Sequence, residues 1–205
     1  ACARRPQKVY QTLKKLGFRF LQFIPCLDPL GAVRGGEPWS LSPEAYGRFL
    51  CQLFDLWYRD WAAGSYHSIR CFDDYIHLLL GEPGSSCAVC GACGSYLVVE
   101  SDLSVYPCDF FATDEWRLGR LGEASLSDLA SGERSRAFFR AWTDGPAECT
   151  ACRWRPLCKG GCKRDWVRDT SGFHNYYCPA FRMLLDHAFP AMQTIARAEW
   201  RARRS

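Results

Sequence analysis

Histidine is scarce in this chain, four residues in 205, and none falls inside a cysteine group. Any metal centre built from those cysteines is therefore left with thiolate ligands alone. No stretch approaches the run of about 20 apolar residues that a membrane span needs. The opening Ala1-Cys2-Ala3-Arg4-Arg5-Pro6 is too polar for a secretory leader. Neither sign of charge is in large excess, with 26 Lys and Arg against 22 Asp and Glu for a net charge of +4, which gives nucleic acid no strong handle. The one basic concentration, Arg197, Arg201, Arg203 and Arg204, reads as a solvated last helical turn that suits the helix dipole. Internal repeats and low-complexity segments are also missing. These absences point to a reducing, cytoplasmic protein with neither a membrane nor a nucleic acid as partner.

What the chain has instead is cysteine, thirteen of them, an odd number that a fully paired disulfide framework would not use up. Nearly half the residues are apolar, 48%, enough to build a core without covalent staples. Five cysteines crowd the stretch from Cys149 to Cys178: Cys149-Thr-Ala-Cys152, then Cys158-Lys-Gly-Gly-Cys162, then Asn175-Tyr-Tyr-Cys178.

Up to about residue 82 the chain reads as an α/β layer. Val9, Tyr10, Leu13 and Leu16 recur at helical spacing and stop at Gly17. Phe18 to Pro25 is apolar on both faces, as a strand buried in a parallel sheet would be. Ser42-Pro43-Glu44 opens a helix to about Ala63, with serine as cap and proline at the first helical position. A strand over Ser68 to Phe72 and a helix over 73–80 follow. Gly81 to Ser86 is a run of turn formers, and it marks the boundary between a unit at 1–82 and a cysteine-rich one at 83–205. In the second unit, Tyr96 to Glu100 and Ser104 to Tyr106 flank a tight turn and predict a hairpin. Helical patterns occupy 125–129, 135–142 and 180–199.

Two cysteines separated by two residues can turn back on one metal or on one face of a cluster, and Cys149 and Cys152 have that spacing. Cys158 and Cys162 bracket Gly160 and Gly161, which let backbone approach a site closely. Cys87, Cys90 and Cys93 form a second tight group, and Cys108 stands at the end of the hairpin. With Cys178 these make nine candidates, enough for two four-thiolate sites with one left over. Cys2, Cys26, Cys51 and Cys71 sit among apolar neighbours and are expected mostly in the core. The compartment argues against disulfides. Structural zinc remains open on spacing alone, and the all-thiolate ligand set favours iron and sulfide. His174 is expected to be a polar loop residue, and His67, His77 and His187 are expected to be structural.

The order Cys87, Cys93, Cys108-Asp109, Cys149-x-x-Cys152, Cys158-Lys-Gly-Gly-Cys162, Cys178 resembles the SPASM domain of radical S-adenosylmethionine enzymes. Val98-Val-Glu-Ser-Asp102, Ser104-Val-Tyr-Pro-Cys-Asp-Phe110, Trp116-Arg-Leu-Gly119, Asn175-Tyr-Tyr-Cys178 and Leu21-Gln-Phe-Ile-Pro-Cys-Leu-Asp28 narrow the resemblance to the anaerobic sulfatase-maturating enzymes. It implies an α/β fold: the C-terminal remnant of a partial (β/α)6 radical SAM barrel at 1–82, then an α+β SPASM domain with two auxiliary [4Fe–4S] clusters at 83–205. Carried across by position, the first cluster takes Cys87, Cys93, Cys108 and Cys162, and the second takes Cys149, Cys152, Cys158 and Cys178. Cys90 is an alternative to Cys87. The implied reaction oxidises a cysteine or serine of an unfolded sulfatase polypeptide to Cα-formylglycine. A 5′-deoxyadenosyl radical takes a hydrogen from the substrate Cβ, a base takes the remaining proton, and the second electron leaves through an auxiliary cluster. Asp109 corresponds to the base, although an Asp after a hairpin strand commonly just caps a turn. Leu27 corresponds to a residue that meets S-adenosylmethionine through its backbone, at a strand end where ligands of such folds collect. A ferredoxin or flavodoxin is the implied electron partner.

The family's Cys-x-x-x-Cys-x-x-Cys motif, which holds a third [4Fe–4S] cluster and generates the radical, is missing here. The group Cys87, Cys90, Cys93 has two residues in each gap. The expectation is a C-terminal fragment that does not cleave S-adenosylmethionine by itself. Two alternatives have different signatures: a peptide-modifying radical SAM enzyme of other specificity, and a stand-alone electron-transfer or peptide-binding module. Asp109 directly after Cys108 favours a maturase over the first, and the barrel remnant argues against the second.

Overall fold

A computed structural model describes residues 2–91, 93–94, 96–141, 145–170 and 172–204. Helix α1 (Pro6–Lys15) leads into strand β1 (Phe20–Leu21), which pairs in parallel with β2 (Ser68–Ile69). Between them runs α2 (Pro43–Ala62), started as its sequence dictates: Ser42 Oγ accepts from the Ala45 N–H at 3.2 Å, and proline occupies the first turn. Helix α3 (Arg70–Leu79) follows β2 directly. The backbone turns into helix at Arg70, so the strand expected over 68–72 is cut to its first two residues.

The Phe18 to Pro25 segment departs furthest from its reading as a buried strand. Leu21 is buried, but Phe20 is 85% exposed, and Phe18 and Ile24 also face outward. A parallel strand is buried on both faces only where helices cover both and further strands flank it. Here β2 is the one strand that pairs with it among the described residues.

The second half begins with the short helix α4 (Cys87–Cys90). The expected hairpin is present, as β3 (Val98–Val99) against β4 (Ser104–Tyr106), and β5 (Gly119–Arg120) joins the other edge of β4. Helices α5 (Leu126–Ser131), α6 (Glu133–Arg140) and α7 (Arg155–Cys158) follow. Trp142, included in the expected helix, lies outside the described residues. A second hairpin, β6 (Trp166–Asp169) with β7 (Gly172–Asn175), was not visible in the sequence pattern. The long helix α8 (Cys178–Ala202) closes the chain.

Helix α8 packs along α2 and α3, so one apolar core runs from Tyr10 through Leu53, Trp57 and Phe72 to Leu185, Met192 and Ile195. Trp57 is centred in it, its indole N–H bonded to the His67 carbonyl at 2.8 Å. Cys71 is partly buried against this core and Cys51 is half-buried, whereas Cys2 and Cys26 are exposed, contrary to the expectation that most of the scattered cysteines would be core. A cysteine among apolar neighbours is buried only if its segment packs, and Cys26 lies in the irregular run after β1. The last arginines, Arg197, Arg201, Arg203 and Arg204, are all exposed as a solvated turn would have them, with Arg203 pairing on the surface with Glu82 of the 81–86 segment and Arg204 4.5 Å from the Trp200 ring centroid. Among the described residues no helix is long and apolar enough to cross a membrane.

Candidate iron–sulfur centre

The cysteines of the second half gather into two groups. In the first, Cys87 opens α4, Cys108 ends the β4 side of the hairpin, and Cys162 arrives from the other end of the sequence. Burial pushes the Cys162 thiol up to about 12, and Asp165 and the Cys87 and Cys108 thiols reinforce the shift. Cys87 is raised by burial and then by Cys93. In the second group, Cys158 is pushed to about 12 and Cys178 to about 11, each first by burial. The Cys178, Cys149 and Cys152 thiols add to the rise of Cys158, and Cys149 and Cys152 add to that of Cys178.

Thiols held together and dehydrated in this way resist ionisation unless a cation or cluster takes the charge. Backbone donors already favour the thiolate form: Arg164 N–H points at Cys162 Sγ at 3.4 Å, and Gly160 and Phe110 N–H groups serve Cys158 and Cys108. A tetrahedral zinc site with bonds of 2.3 Å would need sulfurs roughly 3.8 Å apart. Among the described residues no three His, Cys, Asp or Glu groups close in on a point as a single ion requires. A cavity of about 410 Å³, lined by Cys87, Cys93, Cys149, Gly160 and Cys162, opens between the groups, and a smaller one touches Cys149, Cys152, Cys158 and Cys178.

The local backbone explains how Cys158 and Cys162, four residues apart, serve different groups. Helix α7 ends at Cys158, and Lys159, Gly160 and Gly161 then all take left-handed conformations, at φ 54, 88 and 68°. Such a run reverses the chain at once, and only glycine tolerates it repeatedly. A Cβ on Gly161 would also lie 2.7 Å from Asn175 Nδ2. The turn is pinned through the Gly160 carbonyl, which accepts from Trp166 Nε1 and Asn175 Nδ2, both at 2.9 Å.

Asp109 follows Cys108 and is exposed. Its Oδ1 accepts from Tyr96 OH at 2.7 Å and lies 3.4 Å from Cys108 Sγ. Tyr96 escaped the sequence reading, since nothing in its spacing ties it to Asp109. Lys163 escaped it too: its ammonium sits 3.9 Å from the Phe138 ring centroid, with the Cys93, Cys108 and Cys162 side chains as neighbours. Cys90 is exposed and donates to the Gly84 carbonyl at 2.9 Å, away from the first group. Leu27 is half-buried just after β1, before the buried Asp28. His187 pairs with Asp55 at 2.7 Å and His67 Nδ1 bonds the Ser65 carbonyl, while His174, expected in a loop, lies in β7 and faces Asp169 at 3.6 Å.

The cysteine-rich second half has the α+β frame of a small cluster-binding domain, and residues 87–153 match the SPASM iron–sulfur cluster-binding domain. Cys158, Cys162 and Cys178 lie beyond the matched residues. The chain is 42% identical over 196 residues to the cysteine-type anaerobic sulfatase-maturating enzyme of Clostridium perfringens, covering 95% of this chain and 53% of that protein. The serine-type enzyme of Bacteroides thetaiotaomicron is 26% identical, with 93% of this chain and 50% of that protein covered. The solved structure of native anSMEcpe with bound AdoMet and Cp18Cys peptide superposes with a TM-score of 0.89 at 41% identity, over 96% of this chain and 55% of that one. The chain thus carries a SPASM domain and is homologous to the anaerobic sulfatase-maturating enzymes, while spanning about half the length of the curated relatives it matches.

Proposed function

We propose that this chain is the auxiliary-cluster portion of a radical SAM enzyme that oxidises a cysteine or serine of a sulfatase polypeptide to Cα-formylglycine. Cys87, Cys93, Cys108 and Cys162 are the ligands of one [4Fe–4S] cluster, and Cys149, Cys152, Cys158 and Cys178 those of a second. The observation that carries this reading is the sorting of the thiols into two groups with a carboxylate, Asp109, beside the first. When bound, the clusters supply a sink for the electron that leaves the substrate. Asp109 is the base: Tyr96 orients its carboxylate through Oδ1, and the proton it takes comes from the hydroxyl or thiol of the target residue. Leu27 contributes backbone to the S-adenosylmethionine site. The remaining cluster, with the rest of that site, belongs to residues outside this chain, and a ferredoxin or flavodoxin is the electron partner. The bound AdoMet and Cp18Cys peptide in the relative's structure support a peptide substrate. The higher identity to the cysteine-type relative, 42% against 26% and 32% for serine-type ones, favours cysteine as the target.

The test joins this chain to a segment carrying Cys-x-x-x-Cys-x-x-Cys and measures S-adenosylmethionine cleavage and formylglycine separately. Asp109→Asn should keep cleavage and lose most of the product. Full product yield from that variant removes Asp109 from the mechanism, and no product from the unmutated protein with any sulfatase peptide refutes the activity.

A further inference from the structure

Lys163, the residue after Cys162, is a lysine inside the protein, only 6% exposed. A buried ammonium persists where something fixes it and something negative faces it. Phe138, itself fully buried in α6, does the fixing: its ring centroid lies 3.9 Å from Nζ, and its backbone carbonyl accepts from Nζ at 3.3 Å. Both contacts suit a cation. The ring presents its negative face, and the carbonyl belongs to the last turn of α6, the negative end of the helix dipole. The ring is in turn wedged against Phe111 and Trp116, at centroid distances of 5.4 and 5.0 Å, so it has little room to swing away.

The first cysteine group faces this ammonium. Cys93, Cys108 and Cys162 are the thiols that act on it, with Cys93 also its hydrogen-bonding neighbour. Lys163 shares the cavity of about 410 Å³ with Cys87, Cys93 and Cys162. The second group has a different setting. Arg155 and Arg182, the cations beside Cys149, Cys152, Cys158 and Cys178, are both exposed. Water and salt screen charges of that kind, and screen a buried one much less.

We propose that Lys163 sets the reduction potential of the cluster held by Cys87, Cys93, Cys108 and Cys162, keeping it above the value that the four thiolates alone would give. The proposal rests on the ligand assignment above. In the reaction, the substrate radical loses a proton to Asp109 and one electron to the cluster, closing a C=S or C=O double bond, and the cluster gains one negative charge. A fixed positive charge beside it favours that more negative state. Lys163 thus helps the electron leave on the side of the cluster ligands where Asp109 takes the proton.

The test is redox potentiometry of the anaerobically reconstituted 205-residue chain carrying Cys149→Ala and Cys152→Ala, which leaves the first cluster alone, with the EPR signal of the reduced cluster as readout. Lys163→Met, similar in length and uncharged, should make one-electron reduction about tenfold or more less favourable, a fall of about 59 mV or more in midpoint. Lys163→Gln, polar and uncharged, should fall in the same direction, and Lys163→Arg, which keeps the charge, should stay near the unmutated value. Arg155→Gln should leave the midpoint where it is. About four irons with an unmoved midpoint in both Lys163→Met and Lys163→Gln overturns the proposal. So does loss of iron from both, which would make the lysine a prop for the fold, and so does an equal fall in Lys163→Arg. Fewer than about four irons before any change at Lys163 defeats the ligand assignment and the proposal with it, whereas a full cluster with unmoved midpoints defeats the proposal alone.

Discussion

Asp74 ties the two halves of the chain together, and removing its carboxylate should loosen the first cysteine group before anything else. It is 1% exposed on α3, and its two oxygens hold the 81–86 segment: Oδ1 accepts from Ser85 N–H at 2.5 Å and Oδ2 from Ser86 Oγ at 2.7 Å. Ser86 is the residue before Cys87. Hydrogen bonds to a charged group are worth about 1.5–3 kcal/mol each, so Asp74→Ala should cost about 3–5 kcal/mol, the low end applying if water fills the space. For a chain of this size about 2–4 °C is lost per kcal/mol, which makes an apparent Tm lower by about 6–20 °C at a fixed scan rate under anaerobic conditions. Asp74→Asn, which keeps one acceptor oxygen, should fall in between. In a chelator challenge, Asp74→Ala should release about half its iron early, because only the group containing Cys87 is loosened. A melt within about 1 °C of the unmutated protein would show that the 81–86 segment is held by other contacts and refute the reasoning.

Gly161→Ala places a Cβ against Asn175 in a left-handed conformation that costs an L-residue about 1–2 kcal/mol before the clash is counted. It should lower iron content by about half through Cys162; a full complement of iron would show that the turn adapts. Asp60 gives a pH signature. Burial acts to raise its carboxyl, but hydrogen bonds from Lys14 and Tyr10 outweigh that and hold it below the usual carboxylate range. A depressed folded-state pKa adds stability that is present above the unfolded value of about 3.9 and lost as pH falls through the folded one. The stability gap between the unmutated protein and Asp60→Asn, read from urea midpoints of the metal-free chain, should therefore be present at neutral pH and close below about pH 4. A gap constant down to pH 3 contradicts the assignment.

The helices were legible where local signals agree: the Ser42-Pro43 start of α2 and the apolar spacing of α1 are stated in their own residues. The β3–β4 hairpin was legible for the same reason. Phe18 to Pro25 misled because apolar character on both faces records what a strand is built to touch, and Phe20 has little to touch here. The hairpin of Trp166 to Asn175 was hidden by polar residues that alternate weakly and by a short turn. At the candidate site, the density of cysteine was visible at once, but spacing would have kept Cys162 with its neighbour Cys158. What separates them is three left-handed residues, and two glycines in a row signal flexibility without saying which way the chain will go. Tyr96, Lys163 and the Arg34 contact with Asp165 are tertiary juxtapositions that leave no local pattern.

The interleaved ligand sets are the central claim, and iron and sulfide counts on paired cysteine variants test them most directly. The unmutated chain, reconstituted anaerobically, should hold about eight irons and eight sulfides, two cubane clusters' worth. Cys87→Ala with Cys162→Ala removes two ligands from one cluster and should leave about four irons, whereas Cys158→Ala with Cys162→Ala strikes both clusters and should leave almost none. The reverse order of those two results, or two zincs and no iron in the unmutated chain, contradicts the account.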